Sequence, residues 1–139
     1  MKTPNVPLID LQNAATDSEQ LKLLDLACRD HGFFLLKNHG IQEEIDNMWK
    51  MSEWFFSQDR EEKLKLLRSE QIPLGFYDRE LTKQKRDLKE VFDFMETRSD
   101  SDINQWPREA KFKQTMENFF KKSSQVAEKT LELILIYLG

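Results

Sequence analysis

The 139-residue sequence is poor in several residue types on which chemistry depends. A single cysteine, Cys28, excludes an internal disulfide framework and any metal site built from several thiolates. Only two histidines occur, His31 and His39, with no His-x-Asp or His-x-x-x-His spacing, so a two-histidine, one-carboxylate iron site has no local signature. The four glycines, Gly32, Gly40, Gly75 and Gly139, are scattered, which excludes a dinucleotide fingerprint and a P-loop. There is no basic surplus: 25 acidic against 21 basic residues leave a net charge of -4, and nucleic-acid binding through bulk electrostatics is excluded. Long apolar runs are missing too. The longest, Leu131 to Leu138, is interrupted by Glu132 and too short to span a bilayer. Met1 to Pro7 carries no apolar segment of a signal peptide. These absences lead to the expectation of a soluble protein of a reducing cytoplasm, with neither nucleic acid nor membrane among its partners.

What is present argues for a folded α/β chain, treated as one region over residues 1–139. Aromatics make up 11% of it, and ten of them are Phe, which argues against disorder. Val6-Pro7-Leu8-Ile9-Asp10-Leu11 reads as a short strand, with Pro near its start where a missing N–H matters least. Thr16-Asp17-Ser18-Glu19 reads as a capping box with Thr16 as the cap. The helix that follows is expected to reach about Asp30, to bury Leu21, Leu24, Ala27 and Cys28, and to end at a left-handed Gly32. Phe33-Phe34-Leu35-Leu36 suits a strand covered on both faces, completing a parallel βαβ unit.

Asn38-His39-Gly40 is a turn, and Ile45, Met48, Trp49, Ser52, Phe55 and Phe56 repeat at helical spacing. Asp59 is placed as the cap of a short helix from Arg60 to about Arg68. Residues from Ser69 to Arg86 read as an irregular loop, and Leu88 to Glu96 as a strand with Phe92 and Phe94 on one face. Pro107 is expected near the start of a long last helix bearing Phe112, Met116, Phe119, Phe120, Val126, Ala127 and Thr130. From Leu131 to Leu138 this helix becomes apolar nearly all round, as befits an interior helix of something larger, and hints that the chain is an incomplete unit.

Few residues recommend themselves as chemical groups. His31 and His39 read as structural histidines at an element end and a turn, and Cys28 as a buried structural thiol. Acidic residues lie mainly on polar helix faces beside Lys and Arg. The Lys83-Gln84-Lys85-Arg86 cluster is too short to mark an anion site. Phe76, Tyr77, Phe92 and Phe94, an aromatic loop beside an aromatic strand, are open to two readings: core packing, or the lining of a small-molecule pocket.

Taken in order, the residues resemble the N-terminal region of the isopenicillin N synthase-like dioxygenases, non-haem Fe(II) enzymes that usually use 2-oxoglutarate. Val6 to Leu11 resembles the opening of that family. The stretch from Ala27-Cys28 through Gly32-Phe33-Phe34 to Asn38-His39-Gly40-Ile41 is similar to its A-C-x-x-x-G-F-F-x-(V/L)-x-N-H-G-(I/V) signature. Phe55-Phe56 with Glu61-Glu62-Lys63-Leu64-Lys65, then Gly75-Phe76-Tyr77, then Lys89-Glu90-Val91-Phe92-Asp93-Phe94 resemble its F-F and E-E-K helices, its G-Y loop and its K-E-x-F-D strand.

The resemblance implies a βαβ unit with further helices and a strand, preceding a double-stranded β-helix (jelly roll) that is absent here. That catalytic half carries His-x-Asp, a distal His and an Arg-x-Ser for 2-oxoglutarate, and this sequence contains none of them; Arg68-Ser69-Glu70 and Arg98-Ser99-Asp100 do not fit. It further implies that His39 is the turn histidine, and that Phe76, Tyr77, Phe92 and Phe94 help wall the pocket of a small organic substrate. The complete enzyme would use Fe(II) and 2-oxoglutarate; this chain alone is expected to bind neither and to be inactive. The alternative is a stand-alone binding or interaction module that keeps the scaffold without catalysis and self-associates through helix 131–138.

Overall fold

The computed structural model describes residues 5–82, 85–97 and 102–138. Met1 to Pro4, Lys83, Gln84, Arg98, Ser99, Asp100 and Gly139 lie outside them. The chain forms two compact units, Met1–Gln42 with Lys121–Gly139, and Glu43–Phe120.

In the first unit, β1 (Leu8–Asp10) and β2 (Leu35–Lys37) pair in parallel, with Ile9 opposite Leu36, and α1 (Ser18–Leu26) connects them. This is the expected βαβ unit. Its helix begins one residue late. The N–H groups of Thr16 and Asp17 both donate to the Asn13 carbonyl, which fixes Thr16 in the preceding turn. Asp17 is then the extended residue, and its carboxylate accepts the Glu19 and Gln20 N–H groups at 2.9 and 3.4 Å.

At its far end α1 widens into a π turn, Ala27–His31, closed by the Gly32 N–H donating to the Ala27 carbonyl at 2.9 Å. The wider turn shifts the helical phase, so that Ala27 follows Leu24 inward while Cys28 is exposed, contrary to expectation. Gly32 does take the left-handed cap, at φ 73°. The core comprises Ile9, Leu11, Ala14, Leu24 and Leu133, with Phe34 and Leu36 packed against it. Phe33 and Leu35 alternate away and are exposed, so β2 is covered on one face of the unit and not on both.

The second unit is built on α2 (Gln42–Phe56). Its inner stripe runs Met48, Met51, Phe55, at the i, i+3, i+7 spacing of one helix face. Trp49 lies off that stripe and is 65% exposed, where the sequence placed it inside. The following α3 (Arg60–Leu64) stops short of Arg68, because residues 66–68 leave the helix to meet β3 (Gly75–Tyr77). The Phe76 N–H donates to the Leu66 carbonyl at 2.7 Å, and the Arg68 N–H to the Phe76 carbonyl at 3.0 Å. Asp59 precedes α3 but caps it through its carbonyl, not its side chain.

Gly75 sits where the two segments touch, at φ 113°, and a Cβ there would lie 2.3 Å from the Leu66 oxygen. The expected irregular loop therefore contains a strand, followed by two short strands, β4 (Leu81–Thr82) and β5 (Lys85–Arg86), that pair antiparallel. β3 pairs antiparallel with β6 (Val91–Asp93), Phe76 opposite Phe92. Among the described residues the sheets are three two-stranded ladders, with no closed barrel.

Before α4 (Ala110–Leu138), Asn104 replaces a missing strand neighbour. Its amide accepts from the Met95 N–H and donates to the Met95 carbonyl, both at 2.9 Å. Asp102 organises this loop. The Asn104 N–H donating to its carboxylate, aided by Lys113, the Asn104 amide and the Trp106 indole, outweighs partial burial and lowers it from the ordinary 3.8 to about 2. Glu109 then starts α4, its side chain accepting the Lys111 N–H at 3.1 Å.

Two outcomes follow for stability. Phe55→Ala will lower the unfolding free energy by about 3–5 kcal/mol, whereas Trp49→Ala will stay within about 0.5 kcal/mol, in urea titrations followed by circular dichroism. A carboxylate whose folded pKa is depressed stabilises above its unfolded value and loses that contribution as pH falls through the folded one. The melting-temperature gap between the natural chain and Asp102→Asn will therefore be level near neutrality and close as pH drops from 3.8 towards about 2. A gap that widens on acidification refutes the assignment.

Candidate functional site

The four aromatics singled out by the sequence fall on one antiparallel pair of strands and its continuation. Phe76 is completely buried, and Phe92 packs its ring 4.8 Å from that of Phe55. Phe94 lies 5.3 Å from Trp106. Tyr77 alternates to the other face, where the Arg68 guanidinium covers its ring at 3.7 Å and donates to Asp93 at 3.3 Å. Phe76, Phe92 and Phe94 thus join the core of the second unit, and Tyr77 is half-buried beside it. Arg68 and Ser69 serve this local structure, the Ser69 hydroxyl accepting the Ile72 N–H at 3.1 Å.

Lys63 is a deeply buried charge of this unit, its side chain 7% exposed. Its ammonium donates to the Phe56 carbonyl at 3.1 Å and to both oxygens of Glu90 at 2.8 and 2.9 Å, and stands 5.6 Å from the Phe76 ring centre. Three acceptors, two of them on a counter-ion, satisfy the buried charge, as burial of an ammonium requires. Asp78 is buried likewise, with Arg60 Nη2 and Nε donating to one of its oxygens at 2.7 and 3.1 Å.

A cleft of about 330 Å³ opens in the same unit, with walls from Trp54, Phe55, Leu66, Trp106 and Pro107. None of Phe76, Tyr77, Phe92 and Phe94 lines it. Trp54 and Trp106 escaped the sequence reading, as did Gln105, whose amide donates to the Leu74 carbonyl at 2.8 Å and to those of Leu66 and Leu67 at 3.3 Å. The available signal was the pairing of an aromatic with Pro107 just ahead of a helix.

The donor set does not suit iron. Among the described residues no group of three or more His, Cys, Asp or Glu side chains could hold a metal ion. His39 uses its Nδ1 to accept the Ile41 N–H at 3.2 Å, and His31 makes an edge contact with Phe33 at 6.4 Å between centroids. In the turn itself Asn38 adopts φ 55° and its amide donates to the Asp10 carboxylate at 2.9 Å, tying the turn to the end of β1. No helix among the described residues is long and apolar enough to cross a membrane.

Comparison with known proteins agrees with the resemblance. Residues 6–109 match the family model described as non-haem dioxygenase in morphine synthesis N-terminal. Gibberellin 20 oxidase 1 of Arabidopsis thaliana is 40% identical over 77 residues, covering 52% of this chain and 20% of its own. The 1-aminocyclopropane-1-carboxylate oxidase of Dictyostelium mucoroides is 29% identical over 99% of this chain and 43% of its own. The crystal structure of a full-length Neurospora crassa protein in complex with alpha-KG superposes with a TM-score of 0.82 at 25% identity, covering 96% of this chain and 47% of that one. The chain spans less than half the length of these relatives. On the match over residues 6–109, the chain belongs to the non-haem dioxygenase N-terminal family.

Proposed function

We propose that residues 1–139 are the N-terminal region of a cytoplasmic Fe(II)/2-oxoglutarate-dependent oxidoreductase that oxidises a small organic substrate with O2. The region supplies scaffold and part of the substrate pocket. The family match over residues 6–109, together with alignment to only 47% of a protein solved with alpha-KG, carries this reading. Iron held by a His, Asp and His set outside these residues would supply the oxidising chemistry, with 2-oxoglutarate as cosubstrate.

The contribution of this chain is structural and steric. Lys63 and Glu90 hold α3 to the approach of β6, which fixes the β3–β6 pair. Phe76, Tyr77, Phe92 and Phe94 on that pair are the substrate-facing candidates. Tyr77, Phe92 and Phe94 are half-buried and keep some accessible surface, and Phe76 is fully buried. The exposed Leu131, Leu135 and Ile136 of α4 offer an apolar face for the remainder of the enzyme.

The 139-residue chain, titrated anaerobically with ferrous iron and 2-oxoglutarate, will develop no charge-transfer absorbance. A stoichiometric, saturable band defeats the reading.

The same apolar face favours a second reading, a non-catalytic interaction module in which Leu131, Leu135 and Ile136 pair with a second copy. Light scattering separates the two. The module reading requires a dimer at tens of micromolar, and a well-behaved monomer there removes it.

A further inference from the structure

The cleft in the second unit has a composition that specifies a ligand. Its walls are flat and apolar: two indoles, Trp54 and Trp106, with Phe55, Leu66 and Pro107. Its volume of about 330 Å³ is in the range of small-molecule sites.

The charged groups at its edge are engaged, with one exception. Lys65 pairs with Glu62, Lys63 with Glu90, and the Glu109 carboxylate accepts the Lys111 N–H at 3.1 Å. The guanidinium of Arg108 forms neither a hydrogen bond nor an ion pair with another described residue, and it is exposed. The Trp54 indole N–H is likewise without a hydrogen-bond acceptor among the described residues.

Indole, phenyl and prolyl lining favours a planar aromatic body. A guanidinium without a partner favours a carboxylate, which it can bind in bidentate fashion. We propose that this cleft binds a small planar aromatic monocarboxylate, with its ring between Trp54 and Trp106 and its carboxylate on Arg108. The Trp54 N–H, without an acceptor among the described residues, is available as a second donor.

The sequence supplies its own control. Of the three tryptophans, Trp54 and Trp106 line the cleft and Trp49 does not. In ¹H–¹⁵N correlation spectra of the 139-residue chain, 2-naphthoate will shift the indole signals of Trp54 and Trp106 saturably and leave Trp49 in place. The neutral 2-naphthylmethanol will bind at least about tenfold more weakly, and Arg108→Gln will weaken 2-naphthoate by about tenfold, as loss of a charge-assisted pair requires. Arg108→Lys will retain part of the affinity. Arg108 is exposed, and unchanged dispersion of the remaining signals will verify that both variants fold. Absence of saturable shifts at millimolar ligand, shifts confined to Trp49, equal affinity for acid and alcohol, or an indifferent Arg108→Gln each overturns the proposal. Neither iron nor 2-oxoglutarate enters the experiment, so its failure is separable from that of the oxygenase reading.

Discussion

The second unit depends on the ring of Phe55. A ladder of two short strands has too few backbone hydrogen bonds and too little covered surface to persist alone in water. The β3–β6 pair is of that kind, three residues a side. What holds it is the edge of an aromatic cluster: Phe55 meets Phe92 at 4.8 Å, Phe112 at 5.3 Å and Phe76 at 6.2 Å, so α2, α4 and both strands converge on one side chain. Several of these rings meet edge to face, the arrangement that aromatic quadrupoles favour. The cleft walls Trp54 and Trp106 are positioned by their attachment to this cluster.

The family motifs acquire a physical meaning once their partners are identified. Asn38 of the Asn-His-Gly turn holds Asp10 at the end of β1, 28 residues earlier in the chain. Lys63 of the E-E-K motif holds Glu90 of the strand motif. Arg68 covers Tyr77 and reaches Asp93, which joins the loop motif to the same strand. The short matches, each weak alone, include the two ends of contacts that close the fold. Lys63 also shows why a charge tolerates such a place: removing its partner would strand a buried ammonium, whereas the intact pair satisfies every donor.

Local pattern alone makes the βαβ unit, the left-handed Gly32, the long last helix and the Phe92–Phe94 face legible. The errors lie where tertiary structure overrides periodicity. Cys28 has helical spacing from Leu24, but an inserted π turn changes the phase. Trp49 has the hydrophobicity of a core residue, yet Met48, Met51 and Phe55 define the buried face. Residues 69–86 carry turn chemistry throughout, and the strand at Gly75–Tyr77 exists because residues 66–68 and β6 flank it. The cleft was illegible for a related reason: its walls come from α2, from α3 and the segment after it, and from the approach to α4, which no short window contains.

The exposure of Cys28 gives the molecule a convenient asymmetry. The only thiol lies on the unit formed by Met1–Gln42 and Lys121–Gly139, and all three tryptophans lie on Glu43–Phe120. A maleimide dye will attach at one known position, and indole emission supplies the donor from the other unit. Resonance energy transfer then measures the distance between the two halves, and any change in it, in the unaltered sequence.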